Sequence, residues 1–342
     1  MSSQSNTAPD ARMSIVADVK ARGLDAVRAW ALELDGVEPA RAEPAGELPE
    51  AELLALAGRV RRWHEAQRPA DVTLEVEPGV ELERRWVALD SVGIYVPRGL
   101  VSTLVMCAVP AQVAGVRRLV VCTPPAGAGL VARAAALLGI EKVWALGGPQ
   151  AIGFLAYVER VDKIVGPGNA YVNEAKLEVQ RDVAIDLPAG PSEVVVVLGR
   201  GGDRRLAELE VAAQREHGHE ALCGILDADD LEAALAEVER RAPEHVVLLG
   251  EAEALAPRIR NAGAVFVGAD SPVPTGDLGT GGNHVLPTGG WARSTGGIGL
   301  ETFLKPVTVQ RLTAEGLARV RPTVEALAAL EGLPAHAAAV AR

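Results

Sequence analysis

The order in which short apolar segments and helix-periodic stretches follow one another constrains this chain more than any single residue. Trp86–Val96 reads as a strand closing on Pro97, and from there the pattern alternates. Ser102 is placed to cap a helix running to about Val116. Arg118–Cys122 reads as a strand ending at Pro124, and Leu130–Leu138 as a helix. The rhythm continues with strands at Lys142–Leu146, Lys163–Val165 and Val183–Asp186, and helices at Pro149–Tyr157 and Ala170–Gln180. It resumes with a strand at Glu193–Leu198, a helix near Leu206–His217, strands at Ala221–Leu226, Val246–Leu249 and Ala264–Val267, and helices at Leu231–Arg241 and Ala252–Ala262. Short, continuously apolar strands with helices between them build βαβ units around a parallel sheet covered on both faces. Two such runs meet near Ala189-Gly190-Pro191. They predict an α/β protein with two Rossmann-like domains and mostly parallel sheets.

The flanks differ. Residues 1–11 are polar and read as disordered. Met13–Leu34 and Leu48–Ala66 carry apolar residues at helical spacing, so 12–93 forms a helical lead-in, expected to pack with the domain at 192–298. The first sheet domain spans 94–191. Residues 299–342 form a C-terminal helical tail, with an extended segment at Val307–Arg311 and a helix at Ala314–Leu330. Apolar residues make up 49% of the chain but aromatics only 3%, so the core must be built from Ala, Val and Leu. The formal net charge of −11, with no block of Lys or Arg, argues against nucleic acid or an anionic membrane as partner. Cys107, Cys122 and Cys223 lie inside apolar segments and fit buried thiols in a reducing compartment. The polar N-terminus has no signal-peptide core, and no 18-residue apolar run exists. These features read as a soluble cytoplasmic protein.

Histidine is used sparingly, at positions 64, 217, 219, 245, 284 and 336. His64 follows Trp63 in a charged helical segment and reads as a solvated surface residue. Gln214 and His217 are three apart and share a helix face, where an amide oxygen and an imidazole are both usable ligands for a divalent cation. On this stretch alone, a polar helix face near water explains that pair better. The other histidines stand beside turn residues, and several have carboxylates near them in sequence: Glu244 before His245, Asp277 before His284, Glu331 before His336. Convergent His, Asp and Glu mark a metal or catalytic site. Two glycine loops, Gly147-Gly148-Pro149-Gln150 and Gly166-Pro167-Gly168-Asn169, each follow a strand and open a helix. Their N–H groups are placed to face an anion, although an ordinary strand-to-helix turn has the same pattern and neither completes the dinucleotide fingerprint.

A set of motifs resembles the histidinol dehydrogenase family. They are GIYVP (93–97), VAGV (113–116), TPP (123–125), VDKIVGPGNAYVNEAK (161–176), IDLPAGPSEV (185–194), QREH (214–217), APEH (242–245), NHVLPTGG (283–290) and EGLPAH (331–336). The resemblance runs in order from about residue 14 to 341. It implies a zinc enzyme that oxidises L-histidinol through the aldehyde to L-histidine, using NAD twice. Gln214, His217, Asp277 and His336 match the family's Zn2+ ligands, and Glu244 and His245 its acid–base pair. Ser192, His284 and Glu331 match substrate contacts, together with the metal ligands around them. Tyr95, Gln150 and Asn169 match NAD contacts on an incomplete Rossmann-like domain at 94–191. The resemblance further implies a homodimer in which the 299–342 tail completes the partner's active site. His219 has no counterpart and reads as incidental.

The chemistry of the residue types agrees with those roles. Alcohol oxidation needs a base for the hydroxyl proton, and an imidazole has an ordinary pKa near 6.5. Aldehyde oxidation consumes a water, which a carboxylate can orient or deprotonate. The chain departs from the family pattern in four places: Arg98 follows Pro97 where two glycines are usual, the loops before Ser102 and between Tyr157 and Val161 are short, and Leu278 stands where an aromatic usually follows the ligand Asp. A paralogous dehydrogenase of another small polar alcohol, such as a sulfonated diol, would share the same metal and base. Retention of His284 and Glu331 favours histidinol. An inactive metal-binding homologue would need neither Glu244 nor His245, and a zinc hydrolase would need no NAD domain.

Overall fold

The computed structural model describes residues 14–187, 190–216, 218 and 221–341, and the expectation of disorder at 1–11 lies outside them. The chain forms two compact units. One contains residues up to Gln67 and Leu89–Phe303, the other Arg68–Ala88 and residues from Leu304 onward. No described helix is long and apolar enough to cross a membrane.

The expected first helix is two, α1 (Ile15–Arg22) and α2 (Leu24–Leu34), interrupted at Gly23, with Ser14 Oγ capping the first through Ala17 N–H at 3.0 Å. A short strand β1 (Ala40–Arg41) and helix α3 (Glu50–Glu65) follow. Strands β2 (Val72–Glu77) and β3 (Val80–Ala88) make an antiparallel hairpin that belongs to the second unit. The segment read as one strand, Trp86–Val96, is therefore two. β3 ends at Ala88, and β4 (Ser91–Tyr95) starts the first parallel sheet.

That sheet continues with α4 (Val101–Ala114), β5 (Arg118–Thr123), α5 (Ala128–Leu137), β6 (Val143–Ala145) and α6 (Gly148–Gly153), which runs into a π-helical turn at Phe154–Val158. β7 (Lys163–Val165), α7 (Ala170–Val179) and β8 (Ala184–Ile185) complete it. The strand order is β1-β6-β5-β4-β7-β8, parallel except for the β1 edge. Counted from β4, this is the 3-2-1-4-5 order of a doubly wound sheet, with its reversal between β4 and β7. Such sheets bind ligands outside the carboxyl ends of the strands at the reversal, here Tyr95 and Val165. Gly166 occupies that point with φ +110°, and a Cβ there would stand 2.1 Å from the Tyr95 carbonyl oxygen. Only glycine lets the two strand ends approach this closely.

The first two helices of the lead-in pack on the first sheet, while α3 reaches the loop at 279–298, where Arg59 Nη1 donates to the Gly279 carbonyl at 3.0 Å. Val16, Val19, Ala26, Val27 and Ala31 enter the core of the first sheet beside Ile152, Phe154, Ile164 and Val172. Helix α3 lies along the buried α4, whose residues 103–111 are all buried. The reason lies in α3's inner face, where Leu53, Leu56, Ala57 and Val60 recur at helical spacing. One turn further, the same face carries His64, which is fully buried instead of solvated. Its Nδ1 stands 2.7 Å from the Val60 carbonyl oxygen, and burial holds its pKa below the ordinary value.

The second parallel sheet is built from β9 (Glu193–Gly199), α8 (Arg204–Arg215), β10 (Leu222–Ala228), α9 (Leu231–Arg241), β11 (His245–Leu249) and β12 (Ala264–Val267). A 3-10 helix at Gly250–Arg258 replaces the expected α-helix, and a short α10 (Val273–Leu278) follows β12. The order is β10-β9-β11-β12, so the reversal falls between β9 and β11. At their carboxyl ends the crevice is closed. Glu251 N–H donates to the Arg200 carbonyl at 3.0 Å, and a Cβ on Gly250 would meet Gly202 N at 2.4 Å. The opposite, amino-terminal edge of this sheet carries the candidate chemistry. In the second unit, β13 (Leu304–Leu312) pairs antiparallel with β3, and α11 (Ala314–Leu330) and α12 (Pro334–Val340) follow.

Candidate active site

The neighbouring parallel strands β9 and β11 place Glu193 beside Glu244, with His245 in register with Val194. Glu193 N–H donates to Glu244 Oε2 at 2.8 Å, and Glu244 N–H donates back to Glu193 Oε2 at 3.1 Å. His245 Nδ1 lies 2.9 Å from the Glu193 carbonyl oxygen. A carbonyl only accepts, so Nδ1 carries the hydrogen, and in the neutral ring this leaves the lone pair on Nε2. Nε2 faces Asp277, whose Oδ1 is 3.8 Å away. Glu244 and His245 are both buried, at 6% and 3% exposure.

The acid groups crowd one another. Burial pushes the Glu244 carboxyl up to about 8, and the charges of Asp277 and Glu193 push it the same way against a lowering backbone hydrogen bond. Burial also raises Glu210, with Asp277 adding to the shift. Glu210 lies one turn before Gln214 on the inner face of α8, and both are buried. Its Oε2 accepts from Val273 N–H at 3.0 Å, at the start of the helix that carries Asp277. This bond ties the Gln214 helix to the Asp277 helix. His284 Nδ1 donates to the Asp277 carbonyl at 2.8 Å, and Asn283 Nδ2 donates to the Met106 carbonyl at 2.7 Å. The loop at 283–284 is thereby anchored at both ends, on Asp277 and on α4.

A cavity of about 640 Å³ lies between the two sheets. Ser192, Glu244 and His284 line it from one side, Gly168, Asn169 and Asn173 from the other. Of the predicted residues, Ser192, Asn169, His284 and Glu244 thus meet at one cavity, with His245 beside Glu244 and near Asp277. Tyr95 and Gln150 are buried elsewhere, where Tyr95 Oη accepts from Gly148 N–H at 3.3 Å. Burial raises the Tyr95 phenol to about 12. Gln150 Nε2 donates to Asp35 Oδ2 at 3.1 Å, and the same oxygen accepts from Gly147 N–H at 3.3 Å. The first glycine loop therefore faces an internal carboxylate at the end of α2. The second is capped from within, because Asn169 Oδ1 accepts from Val172 N–H at 3.1 Å. His217 and His219 lie outside the described residues. Glu331 and His336 belong to the second unit and are exposed there. Leu278 is 62% exposed, and Arg98 is exposed. Among the described residues no three His, Cys, Asp or Glu side chains group to hold a metal.

Sequence reasoning missed two residues. Asn173 lines the cavity, is 9% exposed and donates Nδ2 to the Gly168 carbonyl at 3.0 Å, while its buried Oδ1 has no hydrogen-bond partner. Its signal was the four-residue spacing from Asn169, which puts both on one helix face. Glu193 was hidden because a residue that opens an apolar strand reads as its solvated end.

Two doubly wound sheets flanking a cleft form an architecture also found among aldehyde dehydrogenases. An acetylating aldehyde dehydrogenase from Geobacillus thermoglucosidasius superposes with a TM-score of 0.55 at 13% identity, over 87% of this chain and 89% of that one, a likeness of fold alone. The narrower match is to histidinol dehydrogenases. The family model for histidinol dehydrogenase matches residues 2–229 and 221–342. The histidinol dehydrogenase of Methanosarcina barkeri is 38% identical over 96% of this chain and 90% of its own. That of Aliivibrio fischeri is 36% identical over 96% and 88%. The crystal structure of histidinol dehydrogenase from Elizabethkingia anophelis matches with a TM-score of 0.88 and 29% identity, over 98% of this chain and 93% of that one. The chain belongs to the histidinol dehydrogenase family and is a dehydrogenase.

Proposed function

We propose that the chain oxidises L-histidinol to L-histidine by way of L-histidinaldehyde, with NAD as oxidant in both steps and Zn2+ held by Gln214, His217, Asp277 and His336 of the partner subunit. The observation that carries this reading is the pairing of Glu244 with His245 beside Asp277, at a cavity that Ser192 and His284 share with Asn169.

The residues fit both groups. The charge of Asp277 adds to the raised pKa of both Glu210 and Glu244, and among the described residues none of the three forms an ion pair with a Lys or Arg. A divalent cation beside Asp277 would relieve that crowding, and amide, imidazole and carboxylate ligands suit zinc. When bound, zinc supplies open positions for the imidazole and amine nitrogens of the substrate. For the dinucleotide, Asn169 follows β7 at the strand reversal and lines the cavity. Buried Gln150 Oε1, without a hydrogen-bond partner, is an acceptor that a ribose hydroxyl would satisfy. When bound, NAD takes up one hydride in each oxidation.

His245 Nε2, its lone pair fixed by the Nδ1–carbonyl bond, takes the hydroxyl proton in the first oxidation. Glu244 orients and deprotonates the water that adds to the aldehyde. A carboxyl whose pKa burial raises toward the working pH is, in its ionised form, a stronger base than an ordinary one, which suits that task. Ser192 and His284 hold the polar end of the substrate. The exposed apolar residues of the second unit support a dimer. Val72, Leu74 and Val76, at 54%, 57% and 47% exposure, alternate along the edge strand β2, and Leu330 on α11 is 82% exposed.

Variants test the roles. His245→Ala slows both oxidations by about 10²–10⁴-fold, the usual cost of losing a general base. Glu244→Gln slows oxidation of supplied aldehyde more than that of the alcohol, because only the second step consumes water. Equal losses in both half-reactions would remove the water role from Glu244.

A further inference from the structure

We propose that Glu193 is a positioning residue that fixes both members of the Glu244–His245 pair, an inference that rests on the activity proposed above. Glu193 uses each of its polar groups on the site. Its N–H donates to Glu244 Oε2 at 2.8 Å, and its carbonyl accepts from His245 Nδ1 at 2.9 Å. Its carboxylate takes two main-chain hydrogens, Glu244 N–H on Oε2 at 3.1 Å and Gly289 N–H on Oε1 at 3.0 Å. The main chain of Glu193 thus sets the Glu244 carboxylate and the His245 tautomer. Its side chain sets the backbone on which Glu244 stands, and joins that backbone to the loop carrying His284.

Glu193 does this from behind the pair. It lines a separate cavity of about 500 Å³ beside Gly289 and Arg293, whereas Glu244 faces the substrate cavity. A carboxylate in that place touches no substrate, and its two oxygens are occupied by hydrogen bonds. Loss of the side chain would free the start of β11 and the Gly289 loop while leaving the main-chain bonds of Glu193 in place. Displacements of an ångström at a catalytic group cost about 10²-fold in rate.

The test compares wild type, Glu193→Ala and Glu193→Gln by two kinds of measurement. In cofactor-free protein, amide hydrogen exchange is followed at Glu244 and Gly289. In turnover, kcat and KM are taken separately for histidinol and for supplied histidinaldehyde. In Glu193→Ala both amides exchange faster by about tenfold or more, since each loses its hydrogen-bond acceptor. The aldehyde kcat falls by about 10–100-fold, and KM for histidinol stays within about threefold. Glu193→Gln recovers part of the aldehyde rate and protects one of the two amides, because an amide has one acceptor oxygen in place of two. Unchanged exchange at both amides would overturn the proposal. So would a uniform loss of stability in which both oxidations and KM shift together and Gln rescues nothing. If wild-type enzyme makes no NADH from either compound, the proposed activity fails, and the exchange data alone then decide whether Glu193 holds the pair.

Discussion

His64 shows how a single side chain can mislead when its immediate neighbours are read alone. Trp63 and the surrounding charges suggest a solvated face. The stripe of Leu53, Leu56, Ala57 and Val60 continues to position 64 and puts the ring in the core. The same physics predicts a pH dependence. With a folded pKa below the unfolded value near 6.5, His64 binds fewer protons in the native state. Its contribution to stability is complete above pH 6.5 and is lost as pH falls below it, with a slope approaching about 1.4 kcal/mol per pH unit. Urea midpoints at pH 7.5, 6.5 and 5.5 for wild type and His64→Leu check this. The wild type loses more stability on acidification than the variant, and parallel losses would contradict a depressed pKa. At the site, the pairing of Glu244 with His245 was legible from their adjacency and from the motif set. The clasp from Glu193 was not, because register between β9 and β11 is a long-range property that no local spacing encodes.

At the scale of elements, the alternation of strands and helices was legible because parallel strands buried on both faces are continuous apolar runs. The two sheets and their parallel strands follow from it. What the pattern did not reveal was which strands leave the run. β3 and β4 lie on either side of the Leu89–Asp90 link, and a strand-like segment interrupted only by Asp90-Ser91 gives little sign that they join different sheets. The packing of α1 and α2 on the first sheet was equally silent, since an amphipathic face does not name its partner. One element carries its own lock. Lys176 on α7 is paired with Asp186 at 2.5 Å, with side chains 2% and 1% exposed, and Lys176 Nζ donates to the Gly166 carbonyl at 2.9 Å. Asp186 in turn accepts from Gly166 N–H at 2.7 Å. The loop that presents Asn169 is therefore clamped from both sides. Lys176→Met strands a buried carboxylate and lowers stability by about 3–5 kcal/mol, whereas Lys176→Met with Asp186→Leu regains part of that loss. Chemical denaturation of the single and double variants measures it. A single variant within about 1 kcal/mol of wild type would show that the pair does not hold the loop.

At the scale of the whole molecule, the proposed site takes a metal ligand and a substrate contact from the tail of a partner subunit. Two inactive variants, His245→Ala and His336→Ala, unfolded together and refolded, test the exchange. Random pairing makes about half of the dimers mixed. In a mixed dimer, the site that joins the body of the His336 variant to the tail of the His245 variant is fully wild type, while the other carries both lesions. About a quarter of wild-type activity returns, from half of the dimers with one intact site of two. If the tail served its own body, every site would keep one lesion, and no activity would return although mixed dimers are present by mass.

If one site performs both oxidations on histidinol, as proposed above, the stoichiometry of the reaction is fixed. The most direct measurement counts NADH formed against histidinol consumed and histidine produced by the zinc-loaded enzyme with excess NAD. Two NADH and one histidine are expected for each histidinol, with no accumulation of free aldehyde. No NADH from histidinol, or one NADH with aldehyde as the end product, would contradict it.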